Sequence, residues 1–401
     1  MLNNKEYLNR LYQSDKPLII YKTDKGYDIY TDFSRRIIIN KKNLKYFLNT
    51  QSKSKKSKIK ELNCYVGFFG YKLLCENIGI KFPKQQSKNF YRGVFYKPQT
   101  KISIGKKITI KSIKFNFRNI SINAKKFLQL NKKFNLNLSL QQYSKLFNDF
   151  SNNIKQGKTY QIKIAQTYSK KGNINSIDLF WKLMKMNESP ESFLIREKDY
   201  NIISCSPETL ILKKGKTIRT KPIAGTLRKT KQLNKNKALT FFRRNEKETK
   251  EHNMIVDMER NDLSRICQVG SVKLSKAKIV EEYKDLFHYV TLINGRLKKN
   301  ISNLDIIKAM MPGGSVIGCP KISTLNLLNN QEKENRNIYT GSFGYIKFNG
   351  DMRFNIIIRS ILNFKDISEI SVASGVVVDS NAKNEFNENY IKAKALIDLF
   401  K

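Results

Sequence analysis

The sequence predicts one large α+β domain built mostly from antiparallel strands. Short runs in which apolar and polar residues alternate with period two recur along the chain, the mark of half-buried strands. Segments of helical period lie between them, among them 140–155 and 246–260. No Pro/Gly/Ser-rich linker and no repeat of 20–50 residues divides the 401 residues. A single domain over 1–401 is therefore expected, with a strand-rich part at 1–150 and a second part at 151–401.

Taken in order, 19–21, 27–31 and 37–39 are short β-like runs, and 65–71 is another whose glycines invite close packing. Over 102–122 isoleucine alternates with Lys, Ser or Asn, with a turn near Gly105. An amphipathic helix is expected over 140–155, then a strand at 160–167, a helix at 177–186 and a strand pair at 192–195 and 201–204. A helix is expected over 246–260, and a short one at 304–310 stops at Pro312-Gly313-Gly314. Strands at 342–348, 352–361 and 370–378 precede a closing helix at 384–400.

Lysine and arginine number 76 against 33 acidic residues, a net charge of +43. Charge of that size alone is the footprint of a polyanion-binding protein. The lysines are scattered, however, and Lys, Asn and Ile are abundant in every kind of segment, as drift toward AT-rich codons would produce. A nucleic-acid partner is therefore disfavoured, and the one cluster, Lys53 to Lys60, fits an exposed loop. The five cysteines form no C-x-x-C, so neither a disulfide framework nor a zinc site is expected. The polar start and the lack of an apolar run near ~18 residues point to a cytoplasmic protein without a membrane span.

The chemistry concentrates in a few segments. Only two histidines occur, His252 and His288, each inside a dense motif. Glu248 and Glu251 are three apart on a predicted helix and share a face, and Glu385 and Glu388 repeat that spacing with Lys392 one turn on. Carboxylates so placed repel one another unless a cation sits between them, and they are hard-oxygen ligands suited to Mg²⁺. The bland alternative is two solvated helix faces. The glycine-rich turn over 312–321 leads into a helix and could present N–H groups to an anion. Pro320 breaks the P-loop pattern, which disfavours a nucleotide hydrolase. Arg359 ends an apolar strand and, if buried, needs an anion. Ser374-Gly375 lies in a strand where a ligand could approach the backbone.

Read together, Ser206-Pro207-Glu208, Pro222-Ile223-Ala224-Gly225-Thr226, the segment from Glu251 to Asp262, Gly270-Ser271-Val272, His288-Tyr289-Val290-Thr291, the 312–321 turn, Gly341-Ser342-Phe343-Gly344-Tyr345, Ile358-Arg359-Ser360 and Ser374-Gly375 onward resemble the chorismate-utilising enzymes. Order and spacing match that family from residue 160 onward. The resemblance implies two large antiparallel sheets packed as a sandwich with helices outside, and a catalytic part at 151–401. It implies Mg²⁺ on Glu251 and Glu388, assisted by Glu248 and Glu385. Chorismate would be held by Arg359, Tyr345, the Ser374-Gly375 backbone and Lys392. Glu208 matches the general acid that protonates the departing C4 hydroxyl, and Thr226 and His288 match substrate-contacting positions.

Water-using members of the family carry lysine at the position aligned with Gln161. Glutamine cannot act as a base, so Gln161 points to ammonia as nucleophile. Lys163, two residues on, faces the same side of the strand, so this inference depends on register. Ammonia is expected from a separate glutamine amidotransferase subunit, since the motifs run to the end of the chain and no cysteine-nucleophile elbow appears. Ala224 resembles the anthranilate branch. The short chain, the Pro-Gly-Gly-Ser form of the turn and the run Leu18-Ile19-Ile20-Tyr21-Lys22-Thr23, where a Leu-Glu-Ser inhibitor element is expected, lean to aminodeoxychorismate. Arg353 stands where the family commonly has aspartate.

Overall fold

A computed structural model describes residues 4–82, 90–113, 133–283, 286–332 and 335–401 of the chain. Among these residues the strands gather into sheets of eleven and ten, and their pairings are antiparallel. The first sheet runs through Leu18–Thr23, Glu191–Arg196, Tyr200–Ser206, Ser360–Phe364, Ile367–Val376 and Gln161–Lys171. The second centres on Thr209–Lys214, Met352–Asn355, Ser342–Lys347 and Cys64–Phe69. Strands from before and after residue 150 thus sit side by side in both sheets.

Period-two alternation decides the layers. In Leu18–Thr23, Ile19 and Tyr21 face Val66, Phe68, Phe193 and Phe343 in the core between the sheets. Leu18 and Ile20 face outward, under the helices Asn4–Gln13 and Ser176–Met186, which contribute Leu11, Phe180 and Leu183. The outer side of the second sheet is covered by Glu246–Ile266 and Asn303–Met310, through Val256, Leu263, Ile306 and Met310. The expected sandwich with helices outside is the one observed.

The expected single strand at 352–361 is two strands in different sheets. Met352–Asn355 belongs to the second sheet and Ser360–Phe364 to the first. The chain crosses at 356–359, where Arg359 takes φ 50°, a left-handed conformation that breaks the strand. A parallel event occurs at Pro207-Glu208, between Tyr200–Ser206 in the first sheet and Thr209–Lys214 in the second. The two crossings are laced together: Ile356 N–H donates to the Glu208 carbonyl at 3.1 Å, and Cys205 N–H to the Arg359 carbonyl at 3.1 Å.

Other differences are local. The 65–71 run ends at Phe69, and Tyr71–Asn77 is a helix. The expected alternation over 102–122 is a hairpin of Thr100–Ile104 and Ile108–Ser112 turning at Gly105, and 114–122 lies outside the described residues.

Candidate active site

Both crossings open onto a cavity of about 570 Å³, lined among others by Glu208, Thr226, Glu248, Glu251, Arg359 and Glu388. Glu208 is 4% exposed. The Ser315 hydroxyl donates to its Oε1 at 2.9 Å, yet burial dominates and pushes its pKa up to about 7. Arg359 also lines the cavity, and burial lowers its pKa. Its Nη1 is buried with no hydrogen-bond partner among the described residues. An unmade bond of that kind costs roughly 1–3 kcal/mol, so the guanidinium is poised for an acceptor that enters from the cavity.

Thr226 and His288 stand opposite each other on paired strands, with Thr226 Oγ1 3.0 Å from His288 Nδ1. Thr226 lines the cavity, while His288 lies behind it and is 1% exposed. Burial, helped by Arg359, takes the histidine down to about 3, so the ring is neutral near pH 7. Beside them Gly225 adopts φ 66°, and a Cβ there would fall 2.8 Å from Glu248 Oε2.

The two acidic pairs line the same cavity. Glu248 and Glu251 come from the first turns of Glu246–Ile266, whose N-cap Asn245 accepts from the Glu248 N–H. Glu385 and Glu388 come from the first turns of Ala382–Ile397, capped by Asn381. All four line the one cavity. Burial and then Glu251 raise Glu248, and burial and then Glu388 raise Glu385. The other two carboxylates are tied to lysines. Lys163 Nζ is 2.9 Å from Glu251 Oε1 and takes that carboxyl down to about 2. Lys392 Nζ is 2.7 Å from Glu388 Oε1, and it also donates to the Ala373 carbonyl at 3.0 Å. Burial would raise Glu388, but Lys392 outweighs it and the carboxyl is lowered.

Four hard-oxygen donors line one cavity, and two are pushed up partly by their neighbours' charge. That donor set fits a divalent cation such as Mg²⁺. Among the described residues no three acidic, histidine or cysteine side chains converge on a ready-made ion site. The lysine pairings at Glu251 and Glu388 accompany that spread.

Over residues 10–398 the sequence matches the family model described as chorismate binding enzyme. The chain belongs to that family. It is 36% identical over 244 residues to aminodeoxychorismate synthase component 1 of Bacillus subtilis, covering 61% of this chain and 52% of the relative. It is 35% identical over 246 residues to an anthranilate synthase component 1 of Haloarcula marismortui, covering 61% and 50%. The chain thus spans about half the length of these relatives. The crystal structure of anthranilate synthase component I from Streptococcus pneumoniae superposes with a TM-score of 0.76 at 26% identity, covering 96% of this chain and 91% of that one. The menaquinone-specific isochorismate synthase of Escherichia coli shares the fold, with a TM-score of 0.79 at 16% identity over 98% and 91% of the two chains.

One expected contact lies elsewhere. Tyr345 is not among the residues lining the cavity; its ring packs against Tyr21, 6.3 Å between centroids, in the core between the sheets. The tyrosine that lines the cavity is Tyr339, just ahead of the strand Ser342–Lys347. The Ser374 side chain points to the opposite face of its strand, where its hydroxyl meets Tyr143 at 2.9 Å. Gly375, one residue on, lines the cavity. Sequence reading also missed Ser315 as the partner of Glu208. The Pro-Gly-Gly-Ser turn is its only signal in the sequence. The glycines of that turn make room for packing: a Cβ on Gly313 would meet Ile356 at 2.6 Å, and one on Gly314 would meet Met258 Sδ at 2.1 Å.

Proposed function

We propose that this chorismate-binding enzyme is the aminating component of a two-component synthase, converting chorismate and ammonia to 4-amino-4-deoxychorismate and water. The observation that carries the reading is the sharing of one cavity by Glu208, a carboxyl held near neutrality, and Arg359, a guanidinium with a buried N–H left unpartnered. An acid that keeps its proton near pH 7 suits a reaction whose leaving group is hydroxide. Glu208 gives its proton to the departing C4 hydroxyl, which leaves as water. Arg359 binds a carboxylate of the substrate, with Tyr339 and Lys392 lining the same cavity. Thr226, backed by His288, fixes the substrate's orientation. Bound Mg²⁺ would be held by Glu251 and Glu388, assisted by Glu248 and Glu385, and would supply Lewis-acid charge at the ring carboxylate.

Ammonia as nucleophile is supported by Gln161. Its Nε2 donates to Glu251 Oε1 at 3.0 Å, and its buried Oε1 has no partner among the described residues. Lys163 favours a second reading, water activation as in isochorismate synthases, because it lines the cavity and Gln161 is not among the lining residues. Burial alone would lower the Lys163 pKa, but Glu251 reverses this and keeps the side chain an ammonium. Glutamine at the position aligned with the water-activating lysine cannot act as a base, so amination is preferred. The names of the relatives divide between aminodeoxychorismate and anthranilate synthase component 1, and anthranilate plus pyruvate is the alternative product. A separate glutamine amidotransferase would deliver the ammonia. We place the enzyme in the cytoplasm; no helix among the described residues is long and apolar enough to cross a membrane.

The test is incubation of the purified chain with chorismate, Mg²⁺ and ammonium salts, with and without chelator, followed by mass and fluorescence analysis. Aminodeoxychorismate without pyruvate is the expected result. Anthranilate with pyruvate would move the enzyme to the other branch, and isochorismate would transfer the nucleophile's role to water.

A further inference from the structure

Lys163 has no place in the reaction as just described, yet it is built into the cavity with care. It sits on Gln161–Lys171 directly opposite Gly375 in the register of the two strands. Gly375 has no positive φ to explain the glycine, so its use here is space. A Cβ at 375 would lie 2.7 Å from Lys163 Nζ and 2.8 Å from Gln161 Nε2. The missing side chain is what lets both groups lie across the strand toward helix Glu246–Ile266. Both then donate to the same atom: Lys163 Nζ at 2.9 Å and Gln161 Nε2 at 3.0 Å from Glu251 Oε1. A carboxylate oxygen has two lone pairs in its plane, and two donors use them. Glu251 Oε1 is therefore closed to a cation while Lys163 stays in place.

We propose that Lys163 is an internal counter-ion for Glu251, a positioning residue that occupies the carboxylate before Mg²⁺ arrives and is displaced when the metal binds. This rests on the reading of Glu251 as a metal ligand. In the metal-free enzyme the ammonium holds Glu251 in place and spares the cavity an unpaired carboxylate, which is costly where water is scarce. Metal ligation through Oε1 must break that charge-assisted bond, so apparent metal affinity is set lower than the four carboxylates alone would give. The released ammonium is rooted on a sheet strand and stays in the cavity. There it becomes an extra cation for a substrate carrying two carboxylates. Removing Lys163 should thus move two affinities in opposite directions, whereas simple damage to the site would weaken both.

The experiment is Mn²⁺ binding, by electron paramagnetic resonance, and chorismate binding, by calorimetry, to the intact chain and its Lys163→Gln, Lys163→Arg and Glu251→Gln variants. Circular dichroism checks the fold of each. Lys163→Gln should bind Mn²⁺ about tenfold tighter, the equivalent of one charge-assisted bond no longer broken, and should bind chorismate more weakly. Lys163→Arg keeps the charge and should retain the weaker metal binding; if Lys163→Gln does not fold, tighter metal binding by Lys163→Arg would count against the proposal. Metal affinity unchanged or weakened in a folded Lys163→Gln, with binding lost in Glu251→Gln, would overturn the role of Lys163 and leave the metal site standing. Metal binding that survives in Glu251→Gln, or its absence from every variant even with chorismate present, would overturn the metal reading itself and this inference with it.

Discussion

Arg353 donates two hydrogen bonds, from Nε at 2.9 Å and Nη2 at 2.8 Å, to one oxygen of Glu191, a residue with no exposed surface. The other Glu191 oxygen accepts from Tyr21 OH at 2.5 Å, and the Thr209 hydroxyl completes the cluster. This accounts for an arginine where the family resemblance led us to expect aspartate: the position faces a buried glutamate, and an acid there would place two carboxylates together. Tyr21 belongs to the strand in which an inhibitor-binding element was expected, and here its hydroxyl is committed to Glu191.

Arg353→Leu should therefore destabilise the protein strongly, by about 3–5 kcal/mol, because it strands a buried charge. Glu191→Gln combined with Arg353→Leu should recover part of the loss, since no ion is left unpaired. Urea unfolding of the single and double variants measures both, and equal stability of the two would contradict the pairing.

Glu208 carries a signed pH prediction. Its pKa rises from 4.5 to about 7 on folding, so the native state binds a proton that the unfolded state has released between those values. Its contribution to stability is full below pH 4.5 and is lost as pH rises through about 7. Glu208→Gln should remove that dependence, so the gap in melting temperature between variant and parent should shift in the variant's favour from pH 5 to pH 8. Catalysis needs the acid form, and loss of a positioned acid should slow turnover ~10²–10⁴-fold while chorismate still binds. A variant with unchanged turnover would remove Glu208 from the chemistry.

Arg359→Lys should weaken chorismate binding more than it slows turnover. The guanidinium offers a planar fork to a carboxylate, which a single ammonium does not reproduce. Losing one charge-assisted hydrogen bond raises KM about tenfold or more. Steady-state kinetics with saturating ammonium separate KM from kcat, and a fall in kcat alone would place the arginine nearer the reacting atoms than the carboxylate.

Periodicity made much of this legible. The two Glu-x-x-Glu pairs could be placed on helix faces because helical spacing is fixed, and the antiparallel sandwich followed from alternation and the family resemblance. What stayed hidden depended on where the chain changes sheets. The apolar run at 352–361 reads as one strand, and nothing local announces that Arg359 takes a left-handed conformation and turns into the cavity. Tyr345 and Tyr339 lie on the same stretch of sequence, and only the packing of Tyr345 on Tyr21 separates their surroundings. The Arg353 substitution was visible, but its partner Glu191 is 162 residues away and could not be paired with it by spacing.

Gly375→Ala tests the geometry that spacing could not supply. The added methyl would lie 2.7 Å from Lys163 Nζ and 2.8 Å from Gln161 Nε2, closer than van der Waals contact allows. Both atoms end side chains that can move, so the sheet should survive and the melting temperature should change little. The cost should fall on the cavity, where the two donors to Glu251 can no longer reach it together and a substrate-facing wall gains bulk. Activity should fall at least ~10-fold, as expected when a reacting group is misplaced by a fraction of an ångström to one ångström. If Gly375→Ala unfolds the protein, the close packing is structural; if it is fully active, the wall at Gly375 does not meet the substrate.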